Sequence, residues 1–203
     1  IVSGTHSTAE ADWTINGSRN VDGMGHGMSR AGDVDNDGLD DVVVGGCCGE
    51  PPRLGRVWIV TGAVLTSGSG IINLDSHTPR WDGEADNDQA GYKTSPLGDV
   101  DGDGLDDVAV GARQQGDEVS NGGKVYVIFG ASMPGVEIGN LADADVHLSG
   151  TTIGGEHGYD IGKCGDMDGD GLNEIIVGAH QSSRHAMVAG EAMLYLGSAL
   201  TTR

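Results

Sequence analysis

Asp99-Val100-Asp101-Gly102-Asp103-Gly104-Leu105-Asp106-Asp107 is the stretch on which the reading of this chain turns. A version of it runs upstream from Asp33 to Asp41, and another downstream from Asp166 to Glu174. Every copy carries carboxylates at positions 1, 3, 5 and 9 and Gly at position 6. That spacing makes an oxygen cage for a hard cation. Ca²⁺ takes about 6–8 oxygens at roughly 2.3–2.6 Å, and carboxylates at alternate positions of a tight loop converge to supply them. The Gly lets the backbone turn sharply, after which the carbonyl of position 7 (Leu39, Leu105, Leu172) can face the ion.

An EF-hand is the competing reading, and it needs a bidentate Glu at position 12 and helices on both sides. Position 12 is Val44, Val110 and Val177. The loops run instead into Val42-Val43-Val44, Val108-Ala109-Val110 and Ile175-Ile176-Val177, each stopped by Gly, which is how a short strand reads. A single acidic turn of this kind can be a solvated surface feature. Three in register argue for metal.

The copies belong to a longer repeat. Gly32, Gly98 and Gly165 precede the loops, and Gly17, Gly83 and Gly150 lie a constant distance before them. Gly25-His26, Gly91-Tyr92 and Gly158-Tyr159 keep the same step, as do Val44-Gly45-Gly46, Val110-Gly111-Ala112 and Val177-Gly178-Ala179. A fixed period with fixed landmarks signals a repeat architecture. Four strands per unit are expected. The first is His26–Ala31, Tyr92–Leu97 or Tyr159–Cys164, and the second leaves the loop. The third is Gly55–Thr61, Lys124–Phe129 or Glu191–Leu196. A short fourth ends at the marker Gly: Trp13–Asn16, Pro79–Asp82 and Val146–Ser149. Four short strands per unit describe a propeller blade, so the fold class is all-β, built of four-stranded antiparallel blades. Second strands lie near the axis with neighbours on both faces, which explains their unbroken apolar runs. The expected units are 17–82, 83–149 and 150–203, with residues 1–16 closing a preceding blade.

The Gly-aromatic pair, the Gly-Asp-x-Asp-x-Asp-Gly-Leu-x-Asp loop and the Val-Gly-Ala ending together resemble FG-GAP repeats, the blades of the integrin α-subunit propeller. The resemblance covers almost the whole chain. It implies three blades of a larger, usually seven-bladed propeller, with Ca²⁺ held between the first two strands of each. The ligands it implies are Asp33, Asp35, Asp37, the Leu39 carbonyl and Asp41; then Asp99, Asp101, Asp103, Leu105 and Asp107; then Asp166, Asp168, Asp170, Leu172 and Glu174. His26 departs from the usual aromatic, Glu174 from the usual Asp, and the Pro of the Gly-Ala-Pro ending is absent throughout.

Composition agrees with such a fold. Gly supplies 37 of 203 residues, about 18% against a usual share of about 7%, without a collagen period. Aromatics make up only 4%, so Val, Ile, Leu and Ala must build the core. A net charge of −20 excludes partners that need a basic face, namely nucleic acid and anionic membrane surfaces. Three Ca²⁺ add +6 and would leave −14. No apolar run reaches the length of a membrane span, so membrane insertion is not expected. Cys47, Cys48 and Cys164 are too few and too odd for a disulfide framework. The adjacent pair reads as two inert thiols in preference to a vicinal disulfide, and Cys164, where Ala31 and Leu97 stand in the other units, as a small buried residue.

Ile1-Val2-Ser3-Gly4 matches the close of a third strand, and three units are fewer than the roughly 4–8 blades of a closed propeller. The missing blades are expected either from the rest of a longer chain or from a second copy, each lending Trp13–Asn16 to the other's last blade. No nucleophile elbow, phosphate loop or His-Glu-x-x-His is present. His180, Arg184 and His185 read as a solvated loop, the run Asp82, Glu84, Asp86, Asp88 as an exposed acidic loop, and Asn16-Gly17-Ser18 as ordinary turn chemistry. The expected function is a non-catalytic, calcium-binding module that meets an extracellular protein or glycan through Cys47–Leu54, Arg113–Gly122 and His180–Ala189. Its expected place is the cell exterior, the cell surface or the periplasm. The alternatives are the propeller portion of a secreted carbohydrate-active lyase or hydrolase, and a homodimerising half-propeller.

Overall fold

Each acidic loop ends in a strand too apolar to face water on either side, and in the first two units the fold covers both sides. The computed structural model describes residues 7–17, 23–48, 53–66, 68, 70–74, 79–133 and 138–201. The Ile1–Gly4 stub, Ser18 and part of the Cys47–Leu54 loop lie outside the described residues. The strands are β1 (Trp13–Asn16), β2 (Met24–Gly32), β3 (Asp41–Gly46), β4 (Arg56–Val60), β5 (Gly70–Asn73), β6 (Arg80–Asp82), β7 (Ala90–Gly98), β8 (Asp107–Ala112), β9 (Lys124–Ile128), β10 (Ile138–Asn140), β11 (Val146–Ser149), β12 (His157–Gly165), β13 (Glu174–Ala179) and β14 (Glu191–Tyr195). Single helical turns α1 (Gly62–Leu65) and α2 (Gly197–Leu200) follow the third strands of two units, and Gly130–Ser132 makes the matching 3₁₀ turn in the other.

The chain is all-β, and its sheets are propeller blades. Antiparallel pairing gives the orders β2-β3-β4-β6, β7-β8-β9-β11 and β12-β13-β14. Register repeats from blade to blade: Val44 faces Trp58, Val110 faces Tyr126 and Val177 faces Met193. Two strands were not expected. β5 pairs in parallel with β1, and β10 in parallel with β6. In both cases a segment between the third and fourth strands of one unit covers the open edge of the fourth strand of the unit before. This fifth strand ties consecutive units together by backbone hydrogen bonds.

The core lies between blades. Side chains alternate across a strand, so β8 sends Val108, Val110 and Ala112 into one apolar layer with Val43, Val57, Ile59, Tyr126 and Ile128. It sends Ala109 into the next, with Leu97, Val125, Val127, Ile161, Ile175 and Val177. A third layer joins Val44, Trp58 and Val60 to Ile72, with Trp13 and Ile15 against it. Positions 31, 97 and 164 share a place in the repeat. Ala31 and Leu97 are fully buried because the next blade packs on them. Cys164 is only half-buried, contrary to the sequence reading, because among the described residues no further blade packs against that face of the third blade. Ile176, the counterpart of Val43 and Ala109, is 40% exposed for the same reason.

Where blades meet at their second strands, backbone touches backbone. The first strand bulges at the Gly-aromatic pair in all three blades, with Gly25, Gly91 and Gly158 in the left-handed region. A Cβ at Gly45 would lie 2.1 Å from the Gly91 carbonyl oxygen, and one at Gly111 would lie 2.4 Å from that of Gly158. Gly45→Ala must therefore push two blades apart, and we expect it to cost about 3 kcal/mol by chemical denaturation. Gly162→Ala is the control, because its Cβ would meet only the movable Ile176 side chain, at 3.3 Å. It should cost less than about 1 kcal/mol.

Candidate metal centres

The three acidic loops are wound by their own carboxylates. At position 1, Asp33 accepts the N–H groups of Asp37 (3.0 Å) and Gly38 (3.0 Å). Asp99 accepts those of Gly102 (2.6 Å) and Gly104 (3.0 Å), and Asp166 those of Gly169 (2.6 Å) and Gly171 (3.1 Å). At position 3, Asp35, Asp101 and Asp168 accept from the backbone two residues on. At position 5, Asp37, Asp103 and Asp170 do the same for Leu39, Leu105 and Leu172. Such Asx turns draw the side chains inward. Position 6 is left-handed in every copy (Gly38, Gly104, Gly171). So is position 4, where Gly102 and Gly169 alternate with Asn36 at φ 59°, Asn being the side chain that best tolerates that region.

Single oxygens of Asp33, Asp35 and Asp37 lie within 4.8 Å of one another, and so do those of Asp99, Asp101 and Asp107, and of Asp166, Asp168 and Asp170. Asp107 thus joins its group, whereas Asp41 and Glu174 stand back from theirs, and Asp103 lies outside the closest set. The donors are all oxygen, which suits a hard cation.

Position 9 does a second job that sequence reasoning missed. Asp107 is fully buried, and its two oxygens accept the N–H of Val100 (2.7 Å), at position 2 of the loop, and of Gly130 (2.8 Å), at the helical turn after the third strand. Asp41 bridges Val34 (2.9 Å) and Gly62 (2.8 Å) in the same way, and Glu174 bridges Met167 and Gly197. One carboxylate therefore ties loop, second strand and third strand together. Burial pushes the Asp107 carboxyl up to about 7, against the pull of those two N–H groups, and Asp41 is raised for the same reason. The available signal was a carboxylate at the first residue of an otherwise apolar strand.

The loops are also linked in a row through position 8. Asp106 accepts the Asp33 N–H at 3.1 Å, and Asn173 donates to the Asp99 carbonyl at 3.0 Å.

At the Gly-aromatic positions the rings of the three blades form a column. His26 stacks on Tyr92 at 5.4 Å, and Tyr92 meets Tyr159 at 5.6 Å. The residue after each Gly-Ala caps it. The Arg113 guanidinium sits 4.2 Å over Tyr92 and bonds Gln89 and Glu156, and His180 lies 3.8 Å from Tyr159. His180 is thus part of the column and not simply a solvated loop residue; His185 is exposed. The acidic run is corrected too. Asp82 pairs with Arg56 and Arg80, and Glu84 with buried Lys124. Asp88 is 3% exposed, with burial raising it to about 6. Finally, Cys47 and Cys48 are bonded to each other, not free as the sequence reading had them. Among the described residues no helix is long and apolar enough to cross a membrane.

The FG-GAP repeat family model matches residues 90–128. Among curated proteins, the chain is 29% identical over 186 residues to integrin alpha-PS2 of Drosophila melanogaster. It is 31% identical over 171 residues to integrin alpha-7 of Homo sapiens, and 27% identical over 182 residues to integrin alpha-4 of Xenopus laevis. These alignments cover 85%, 81% and 84% of the chain but only 12%, 13% and 16% of the relatives.

Proposed function

The chain belongs with the FG-GAP-repeat, integrin-alpha-like proteins, and from that premise we propose that it is a calcium-stabilised, non-catalytic propeller segment that presents loops to an extracellular protein or glycan. The observation that carries the calcium reading is threefold repetition: three loops wound by equivalent hydrogen bonds, each gathering carboxylate oxygens within 4.8 Å. Without a cation, like charges that close repel one another. Asp33, Asp35, Asp37, Leu39 and Asp41 would hold one ion, Asp99, Asp101, Asp103, Leu105 and Asp107 the second, and Asp166, Asp168, Asp170, Leu172 and Glu174 the third. The ions brace the hairpins and carry out no chemistry.

Units 17–82, 83–149 and 150–203 act as consecutive blades in this reading, with further blades, from a longer chain or a second copy, covering Ile176 and Leu194. The binding surface is the end of the blades that carries the 113–122 and 180–189 loops and the aromatic column. Rigid strands hold these loops, which suits recognition. The test is retention of the chain on arrays of extracellular-matrix proteins and glycans, with calcium and with chelator. Calcium-dependent retention by one class is expected. Cleavage of an arrayed glycan, or no retention at all, overturns the reading.

A pH dependence follows for the second loop. Its cation needs Asp107 ionised, and that carboxyl titrates at about 7 in the calcium-free fold. Calcium affinity there should fall as pH drops through 7, by roughly fifteenfold between pH 7 and 5.5. Calorimetric titration at the two pH values checks this, and Asp107→Asn should remove the dependence.

A further inference from the structure

We propose that His26, Cys47 and Cys48 form a separate site for a soft metal ion such as Zn²⁺ or Cu⁺, closed while the cysteines are bonded to each other and opened by a thiol reductant.

The first blade departs from the other two at two places in the repeat. His26 stands where Tyr92 and Tyr159 stand, and Cys47-Cys48 stand where Arg113-Gln114 and His180-Gln181 stand. Those places meet in space in the other blades, as Arg113 on Tyr92 and His180 on Tyr159. The same meeting in the first blade brings an imidazole nitrogen and both sulfurs within 4.8 Å of one another. Two independent departures thus converge on one point, and both are metal-ligating.

Imidazole and thiolate are soft donors that suit Zn²⁺ and Cu⁺ and are poor ligands for Ca²⁺. A tetrahedral Zn²⁺, at about 2.3 Å from sulfur and about 2.0–2.1 Å from nitrogen, holds its donors roughly 3.3–3.8 Å apart. The imidazole nitrogen therefore needs to move by at most about 1 Å, whereas the two sulfurs, bonded to each other here, part by about 1.7 Å once reduced. Cys47 is buried, Cys48 is half-buried with Gly23 packed on it, and His26 is exposed, so an ion approaches from the imidazole side. Three protein ligands leave a fourth position for water.

The chemistry balances with a dithiol as reductant. It gives two electrons and two protons to the Cys47–Cys48 bond and itself closes to a cyclic disulfide. The two thiols then release two protons as thiolates bind the ion.

The test uses the full chain carrying Cys164→Ser, which removes the free thiol. The protein is reduced with a phosphine, desalted without oxygen and titrated with Co²⁺, whose thiolate charge-transfer band in the near ultraviolet is silent for oxygen sites. The expected result is one equivalent of band-forming Co²⁺ on the reduced chain, displaced by Zn²⁺, and none on the oxidised chain. His26→Ala, an exposed change that leaves the disulfide intact, should weaken binding at least tenfold. A reduced chain without the band, a band on the oxidised chain, or affinity unchanged in His26→Ala overturns the proposal. Circular dichroism of the reduced chain shows that a missing band is not lost fold.

Discussion

Removing calcium should lower the melting temperature of this chain by about 15–30 °C. The estimate follows from mass action. A ligand that binds only the folded state at about 100 times its Kd stabilises by about 2.7 kcal/mol per site. Three such sites, at about 2–4 °C per kcal/mol for a domain of this length, give that range. The structure says where the loss is felt. Each loop is the turn between the first and second strands of a blade, and positions 8 of the second and third loops bond the loop before. Loosening one hairpin therefore loosens its neighbour, and chelator should also bring protease cleavage at all three loops. A scan in excess chelator that superposes on the scan in calcium would contradict the account.

The second large effect separates two roles that the loop carboxylates share. Asp107→Ala removes a ligand and also strands the buried N–H groups of Val100 and Gly130. At about 1–3 kcal/mol for each orphaned group, the cost is roughly 2–6 kcal/mol, and it persists without calcium. Asp103→Ala removes an exposed side chain whose one hydrogen bond is to the solvent-facing Leu105 N–H. It should weaken calcium binding yet leave the chelated protein's stability within about 0.5 kcal/mol. Denaturation of both variants with calcium and with chelator measures the difference. Equal behaviour of the two in chelator would mean that the position 9 carboxylate does not clamp the blade.

Much of the fold was legible because it is local and repeated. The apolar second strands, the Gly stops and the acidic turns each rest on a few adjacent residues, and repetition turned a weak signal into a firm one. β1 and β11 have the bounds read from sequence. What was hidden depends on partners distant in the chain. β5 and β10 are short, have little pattern of their own, and form because a fourth strand of the preceding unit offers an unpaired edge. Glu84 reads as a surface residue because its partner Lys124, which supplies the opposite charge, lies forty residues on. Position 9 was read as a ligand alone, since its second partner, the turn after the third strand, lies more than twenty residues away. The column through His26, Tyr92 and Tyr159 was present in the repeat as three equivalent positions. Only the packing of blades turns equivalent positions into touching rings.

The central claim is that each of the three hairpins holds one calcium ion. Native mass spectrometry of calcium-free protein, taken through a calcium titration with Asp37→Ala, Asp103→Ala and Asp170→Ala alongside, tests it most directly. The account predicts saturation at three ions for the natural sequence and a weakened third step in each variant. Saturation at none, or a pattern of binding that the three substitutions do not alter, would contradict it.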